Sequence, residues 1–522
     1  MSQSGQDNSS PKLSRSDWIG FISMTVGMFM AILDIQIVAS SLREIQAGLS
    51  ASLDEINWIQ TSYLIAEVIM IPISGWLART FSTRYLFFFS CLGFTLMSLL
   101  CAVSWNLNSM IVFRTLQGAF GASMIPTVFS VIFIIFPLKM RPMITVMVGL
   151  IVTMAPTIGP ILGGYLTESF SWHVLFLMNV IPGVFVCYSV WNYVNVDKPD
   201  LSLLKSIDYL GIFLITLALG CLQYVIEEGA KEDWFDSKTI VLFSSISAIS
   251  FIFLMYHELK AKMPIIDLSA FTDRNFTTGC IFSFIIGWGL YNVVFLMPLY
   301  LASIKGFNSL EVGSYMFVTG AFQFLSAPLA GIASKKIDLR IMLSFGLLMF
   351  GLGTYLNSQL TAESAYWEFF LPQMIRGMSL MFCFLPINTI TFGTLPKEAV
   401  KNASGLYNLM RNLGGAIGLA ITNTLLNNGK KINFDTMRKN ITEVSDVTVN
   451  LINNLSSNFS QYEITDPNLA AIKQVSGLVS REALIISFND AFVSISLIFL
   501  FGFCLMGFVA KVDPNADTGE AH

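Results

Sequence analysis

The sequence predicts an all-α membrane protein with fourteen transmembrane helices, arranged as two six-helix repeats with two inserted helices between them. Hydrophobic residues make up 54% of the 522 residues and charged residues only 12%, with a mean hydropathy of +0.66. A soluble chain carries about 25% charged residues. Fourteen apolar runs are long enough to span a bilayer as helices, and two sequence blocks recur in the same order in the first and the last six runs.

The apolar runs set the expected domain limits. They cover 18–41, 57–78, 85–104, 109–136, 143–166, 173–194, 207–228, 237–256, 276–303, 310–333, 341–360, 368–394, 403–425 and 485–510. The predicted domains are a cytoplasmic tail (1–17), a first six-helix bundle (18–206), two inserted helices with a linker (207–275), a second six-helix bundle (276–510) and a cytoplasmic tail (511–522). A polar loop at 426–484 is expected outside the membrane.

The basic residues predict the orientation in the membrane. Segments on the side of the termini contain seventeen Lys and Arg, whereas the short loops on the other side contain four. Positive residues accumulate on the cytoplasmic side of membrane proteins. Both termini are therefore expected in the cytoplasm, and the 426–484 loop in the periplasm.

Two recurring blocks indicate an internal duplication. The blocks 75–84 and 331–340 both lie at a predicted cytoplasmic turn, and they begin with Gly75 and Gly331 and end with Arg84 and Arg340. A second correspondence places Arg114 four residues before Gly118 in run four, and Gln373 four residues before Gly377 in run twelve. Duplicated halves of this kind are typical of alternating-access transporters.

Three ionisable residues inside the apolar runs are the first candidates for function. Asp34 and Arg114 lie at similar predicted depths, roughly 10 Å and 8 Å from the outer ends of runs one and four at 1.5 Å per residue, as an ion pair requires. Glu67 lies near the middle of run two. Charges at such positions are costly and often belong to proton relays. The alternatives are a structural arginine, helix capping or packing by Asp34, and a simple hydrogen bond from Glu67 to Tyr63 or Ser74.

Further polar or small residues are expected to line the cavity or the boundary between the halves. Gln117 and Gly118 share a helix face with Arg114, and Arg411 shares one with Asn408. Arg376 lies within run twelve. Both later arginines could equally hold the second half together. The seven cysteines lie in apolar runs and the three histidines lie far apart, so neither a disulfide framework nor a metal site is expected.

Several motifs resemble those of the major facilitator superfamily. The matching stretches are Leu33-Asp34, Arg114-Thr-Leu-Gln117-Gly118 and Ala155 to Gly164, the last of which is similar to the superfamily's antiporter motif with Gly159, Pro160, Gly163 and Gly164. With fourteen helices, the chain resembles the drug:proton antiporters of the EmrB/QacA subfamily. The blocks 208–211, 264–268, 274–276 and 411–415 look most like its EmrB branch.

The resemblance implies a proton-driven efflux antiporter for amphipathic compounds in the bacterial inner membrane, and not an enzyme. It implies proton coupling through Asp34 and Arg114, the proton gradient in place of a cofactor, and a periplasmic adaptor and outer-membrane channel as partners. No phosphate-binding loop of the Gly-x-x-x-x-Gly-Lys-Ser/Thr type is present, so ATP is not the expected energy source. The alternatives are a dedicated exporter of one endogenous molecule, such as a fatty acid or siderophore, and a membrane sensor or scaffold that does not transport.

Two details bear on these expectations. The superfamily's first cytoplasmic turn normally carries an acid and a glycine where this chain has Arg79 and Ser82, so the resemblance does not extend to the usual charge-relay role of that turn. In the 426–484 loop, the segment 467–480 predicts an amphipathic helix with Ile472, Val475, Leu478 and Val479 on one face. That helix would be either a surface cap or a docking site for a partner.

Overall fold

The computed structural model describes residues 13–52, 55–137, 140–261, 264–439, 441, 446–462 and 466–511. Of the predicted tails, 1–17 and 511–522, only residues 13–17 and residue 511 lie within this described part. Its α-helices are α1 (Arg15–Ser40), α2 (Leu42–Leu49), α3 (Trp58–Phe81), α4 (Thr83–Ala102), α5 (Leu107–Gly121), α6 (Met124–Ile135), α7 (Arg141–Ser169), α8 (His173–Leu177), α9 (Val180–Tyr193), α10 (Tyr209–Glu228), α11 (Lys238–Glu258), α12 (Arg274–Ile304), α13 (Ser309–Ala333), α14 (Leu339–Asn357), α15 (Tyr366–Gly393), α16 (Lys397–Arg438), α17 (Asp446–Phe459) and α18 (Pro467–Cys504).

The predicted all-helical membrane fold is confirmed. Thirteen segments of the described chain are long and apolar enough to cross a membrane, and two of them, Leu107–Ile135 and His173–Tyr193, each join two shorter helices. The remaining predicted run, 403–425, forms the middle of α16 and is not among the thirteen. Its polar residues include Asn408 and Arg411, which are buried. These buried polar residues lower the mean hydropathy of α16, although the helix packs among the spanning ones.

The amphipathic helix predicted at 467–480 is present as the start of α18, but the prediction of a polar loop is wrong for most of the remaining described part of 426–484. Helix α16 continues to Arg438, α17 occupies Asp446–Phe459, and α18 begins at Pro467. The Asp466 side chain accepts from the Leu469 backbone N–H at 3.0 Å and so caps α18. Ala471 and Val475 are buried, because α18 packs against α16 and α17. Polar composition hid the extension of α16 and the whole of α17, since a helix outside the membrane needs only a narrow apolar stripe.

The predicted stripe on that segment is only partly buried. Val475 faces the neighbouring helices, whereas Ile472 and Leu478 are exposed at 46% and 45%. The buried face of the helix is formed instead by Ala471 together with Val475. The two exposed side chains thus remain available on the outer surface of α18.

Packing divides most helices between two groups. Helix α1 packs on α7 and α9, α3 on α5, and α4 on α5 and α9, while α12 packs on α16, α14 on α15 and α18, and α13 on α15. Contacts between the groups run from α7 to α13 and α15, and from α3 and α6 to α16. Helix α10 packs on α11, α3 and α16. One inserted helix therefore lies where α3 and α16 meet.

Glycine 118 allows α5 to approach the backbone of α3. A Cβ atom added at Gly118 would overlap the Tyr63 carbonyl group, which cannot move without shifting the helix. We expect Gly118→Ala to destabilise the folded protein by about 1–3 kcal/mol, as overpacking does. Gly331→Ala is the matched control, because a Cβ atom there meets nothing within 4 Å. Thermal unfolding of the purified variants should show a loss at Gly118 only; equal melting temperatures would contradict this account.

Candidate functional site

Asp34 and Arg114 form an ion pair in the interior of the first group of helices. Arg114 Nη1 lies 2.5 Å from Asp34 Oδ2, and both side chains are completely buried. The residues belong to α1 and α5, so the pairing expected from their equal depth is present. A charge in such a position is tolerated when its partner is close and hydrogen bonds satisfy most of its other polar atoms.

Amide side chains complete the surroundings of Asp34. Asn179 Nδ2 donates to Asp34 Oδ1 at 2.8 Å and to Ser98 Oγ at 3.1 Å, and Gln117 Nε2 donates to Asp34 Oδ1 at 3.3 Å. Gln117 Oε1 in turn accepts from Arg114 Nη1 at 2.8 Å. Asn179 lies between α8 and α9, where the sixth span is interrupted. It was missed in the sequence, although an asparagine within an apolar run is a usable signal.

An aromatic ring packs against the guanidinium group of Arg114. Its guanidinium carbon lies 4.3 Å from the centroid of the Tyr63 ring, and its Nε donates to the Ile59 carbonyl at 3.4 Å. Arg114 Nη2 has no partner within the described residues. Cation–π contacts of this kind contribute roughly 2 kcal/mol when desolvated. One arginine therefore ties α1, α3 and α5 together, as the structural interpretation of this residue requires.

Glu67 points into a cavity of about 380 Å³ that both groups of helices enclose. The walls come from α1, α3, α7, α10, α12 and α16. Within the described chain, Glu67 makes no ion pair and is 3% exposed; Asn412 is its polar neighbour, and Arg411 and Arg114 act on it at longer range. The hydrogen bond to Tyr63 or Ser74 is absent, because Ser74 Oγ donates to the Ile71 carbonyl and the Tyr63 hydroxyl has no partner among the described residues.

The residues of the antiporter-like motif lie on α7, where it packs against α1. A Cβ atom at Gly159 would overlap Gln36, and one at Gly163 would overlap the Ser40 side chain, so both glycines permit close approach. Pro160 lines the cavity. The Gly164 carbonyl accepts from Thr167 Oγ1 at 3.1 Å within the helix. The motif therefore shapes one wall and brings α7 onto the helix that carries Asp34.

The buried arginines of the second group lack a direct acidic partner among the described residues. Arg376 Nη2 donates to Gln373 Oε1 at 2.8 Å, and Arg376 borders a separate small void, away from the central cavity. The Arg411 guanidinium lies 5.6 Å from the Phe129 ring centroid on α6, so this residue does lie between the halves. Asn408 donates to the Ser404 carbonyl at 2.8 Å within α16.

Two of the residues predicted for the cavity or the boundary lie elsewhere. Gln117 hydrogen-bonds with Arg114 and Asp34 inside the first group, and Gly118 packs on the Tyr63 carbonyl. Neither lines the central cavity. Their helix face packs on α3, and the Arg114 and Gln117 side chains reach from it to Asp34 on α1.

The family model of the major facilitator superfamily matches residues 24–419 of this chain. The chain belongs to the major facilitator superfamily. It is 38% identical to the colistin resistance protein EmrB of Acinetobacter baumannii over 93% of this chain and 94% of that protein. It is also 30% identical to the multidrug export protein EmrB of Escherichia coli K12, over 95% and 96% respectively.

One further relative and one solved structure also match most of this chain. The fatty acid resistance protein FarB of Neisseria gonorrhoeae is 28% identical over 92% of this chain and 93% of its own length. Among solved structures, the proton:xylose symporter XylE superposes with a TM-score of 0.59 over 95% of this chain and 97% of that one, at 11% identity. At that identity the likeness concerns the major facilitator fold alone. The resemblance to the EmrB-type members of the superfamily is thus confirmed.

The superfamily's first turn motif has an altered set of charges in this member. Asp197, which follows α9, pairs with Lys401 at the start of α16 and accepts from the Thr83 backbone N–H at 3.0 Å. Lys401 Nζ also donates to the Ala78 carbonyl at 3.2 Å. An acid from a more distant segment therefore lies at this turn, and the pair joins the two halves near the end where α1 begins.

Ser82 retains the backbone conformation that the missing glycine would favour. Its φ is 74° and its ψ is 158°, a region that residues with a side chain rarely adopt. Gly75 lies on α3, the helix that ends just before Ser82. A Cβ atom at Gly75 would come within 2.8 Å of Asn402 Cα on α16, so α3 and α16 are closely packed at this end.

The corresponding turn of the second half does not dock in the same way. Gly331 has open space around it, and Arg340 Nη2 pairs with Asp338 Oδ2 at 3.0 Å. The hydrogen bond from Arg340 holds the pKa of the Asp338 carboxyl below its usual range. In the first half, the Arg84 guanidinium lies 5.0 Å from the centroid of the Trp191 ring. The repeat is preserved in sequence, but only the first copy contacts the opposite half closely.

Proposed function

We propose that the chain is a proton-driven efflux antiporter that exports amphipathic compounds across the bacterial inner membrane, with both termini in the cytoplasm. The observation that carries the proposal is the buried Asp34–Arg114 pair, which lies behind a cavity that presents the carboxylate of Glu67. The named activities of the EmrB relatives, multidrug export and colistin resistance, support export as the direction. The energy source is the proton gradient, and no cofactor is required.

The cavity lies in the half of the molecule away from the termini. Gln36 and Ser40 belong to the last turns of α1, Gln60 to the first turn of α3, and Glu227 to the last turn of α10. At the other end, Lys401 with Asp197 and the close approach at Gly75 join the halves. With cytoplasmic termini, this arrangement is an outward-facing state. Export requires that the contacts at the cytoplasmic end break, so that the same cavity is exposed to the cytoplasm.

Proton binding changes the charge balance of the site. Protonation of Glu67 or Asp34 leaves Arg114 with a weaker counter-charge, which favours rearrangement of the helices that it joins. A compound that occupies the cavity competes with the proton for the same carboxylate environment. Alternating occupation by proton and substrate then couples inward proton flow to outward export.

The second candidate, export of one endogenous molecule, has one supporting observation. FarB, a relative named for fatty acid resistance, aligns over most of its length with this chain. A fatty acid is an anion at neutral pH, whereas the cavity wall carries carboxylates. We therefore favour other amphipathic compounds.

Everted membrane vesicles that contain the chain test the proposed function. We expect a proton gradient, acid inside, to drive uptake of at least one amphipathic dye, and the dye to accelerate proton release. Vesicles from cells without the chain and vesicles treated with an uncoupler are the controls. Fatty acid transport without dye transport would favour the dedicated exporter. Absence of any gradient-dependent transport, in a protein shown to be inserted and folded, would favour the sensor or scaffold.

We further propose that a periplasmic adaptor and an outer-membrane channel complete the export path. The exposed apolar residues Ile472 and Leu478 lie on α18 beyond the predicted spanning run. Apolar side chains on the surface of an outer helix are suited to contact with another protein.

A further inference from the structure

The inserted helix α10 is fixed across the boundary between the two halves. On one side, Gly220 lies against Ile69 of α3, and the Tyr224 ring centroid is 5.8 Å from that of Trp58. On the other side, Trp234 Nε1, just after α10, donates to Thr424 Oγ1 of α16 at 2.9 Å. The helix therefore closes the gap between α3 and α16 and becomes part of the cavity wall.

The last turns of α10 add a second carboxylate to that cavity. Glu227 and Gln223 both line it, and Gln223 Nε2 donates to Glu227 Oε1 at 2.9 Å. Within the described residues, Glu227 makes no ion pair. The next residue, Glu228, belongs to a different environment, because it does not line the cavity and its carboxylate lies 3.5 Å from Lys231 Nζ.

The charges in the cavity wall have one sign. Glu67 and Glu227 are its acidic residues, and none of the described lining residues is basic. Arg114 and Arg411 influence Glu67 from behind the wall. Glu67 is 3% exposed and makes no ion pair within the described chain, so only the two arginines behind the wall balance its carboxylate.

We propose that Glu227, contributed by the inserted helix, makes the cavity selective for amphipathic organic cations. The lining is otherwise mainly apolar, with amides and the Tyr291 hydroxyl among its polar groups. An organic cation with apolar substituents fits both properties, and a volume of about 380 Å³ lies within the range of small-molecule pockets. An unpaired carboxylate in a low-dielectric site favours a cation and disfavours an anion of the same shape.

A pair of probes with equal shape and opposite charge tests this selectivity. Tetraphenylphosphonium and tetraphenylborate differ mainly in the sign of their charge. Their equilibrium binding to the purified full chain in lipid nanodiscs is measured at neutral pH without a proton gradient. We expect the wild-type chain to bind the cation at least ten times more tightly than the anion. Tighter binding of the anion, or equal binding, would overturn the proposal.

Variants at neighbouring positions assign the selectivity to one residue. Glu227→Gln should weaken cation binding at least tenfold and leave anion binding unchanged or stronger, whereas Glu227→Asp should retain most of the cation preference. Glu228→Gln is the matched control and should bind both probes as the wild type does. Melting temperatures of all variants identify a failure to fold. If Glu227→Gln is folded and binds the cation normally, Glu227 does not determine selectivity.

The inference rests on the proposed function for its physiological meaning, but the binding measurement does not. Failure of gradient-driven transport in vesicles would refute the proposed antiport while cation selectivity persisted in nanodiscs. If the wild-type chain transported in vesicles but did not prefer the cation in nanodiscs, only the proposed role of Glu227 would be refuted. The two failures are therefore distinguishable.

Discussion

Asp34→Asn is expected to abolish substrate-dependent proton release in everted vesicles while the protein still inserts into the membrane. Asparagine has nearly the same shape as aspartate but carries no charge and does not titrate. In the wild type, Asp34 accepts from Arg114, Asn179 and Gln117. The variant leaves the buried Arg114 without its counter-charge, and breaking one side of a buried ion pair destabilises a protein by roughly 3–5 kcal/mol.

Because that loss of stability alone could stop transport, a second variant separates charge pairing from proton transfer. Asp34→Asn combined with Arg114→Gln removes both buried charges and should recover much of the lost thermal stability. If the pair is needed for proton coupling, the double variant melts nearly as the wild type does but still releases no protons. Restored proton-coupled transport in the double variant would show that Asp34 has a structural role only.

The charged pair could be predicted from sequence because the physical constraint on it is severe. A fixed positive charge in an apolar run needs a partner at the same depth, and Asp34 was suitably placed for Arg114. The same reasoning placed Arg411 in the interior. It did not give Arg376 an acidic partner, and the structure shows none within the described chain.

Other parts of the site could not be predicted, because they depend on how distant segments meet. Glu227 lies at the end of an apolar run, where an acid is normally taken as the boundary of the span. Only the position of α10 between α3 and α16 brings it into the cavity. Asp197 likewise lies in a connecting segment, and its pairing with Lys401 depends on the contact between the halves. Both contacts join residues that are far apart in the sequence, so the sequence alone did not predict them.

The segment 426–484 shows a different limit. Its polar composition suggested a loop with one helix at 467–480, whereas its described residues lie mostly in the end of α16, in α17 and in the start of α18. Outside the membrane, a helix needs few apolar residues on its buried side, and Ala471 contributes to that side without a strong hydrophobic signal. Apolar content therefore predicts where a helix crosses the membrane better than where it ends.

The exposed apolar residues of these outer helices give the second prediction. On α17, Val447 and Leu451 are exposed, and on α18, Ile472 and Leu478 are exposed. We expect serine at all four positions to leave gradient-driven transport in vesicles unchanged, because these side chains contact little of the carrier itself. If the proposed adaptor carries the exported compound across a second membrane, the same variant should lose most of its resistance in whole cells.

The size of the expected loss follows from the energetics of protein interfaces. In a protein interface a few residues usually contribute about 2 kcal/mol or more each and most contribute little, and 1.4 kcal/mol corresponds to a tenfold change in affinity. Removal of all four apolar side chains should therefore weaken docking at least tenfold. The matched control places serine at four exposed polar positions on the same two helices, Asn450, Asn454, Lys473 and Gln474. Loss of transport in vesicles would instead make the outer helices part of the carrier's own gate, and unchanged resistance in cells would exclude this surface as the docking site.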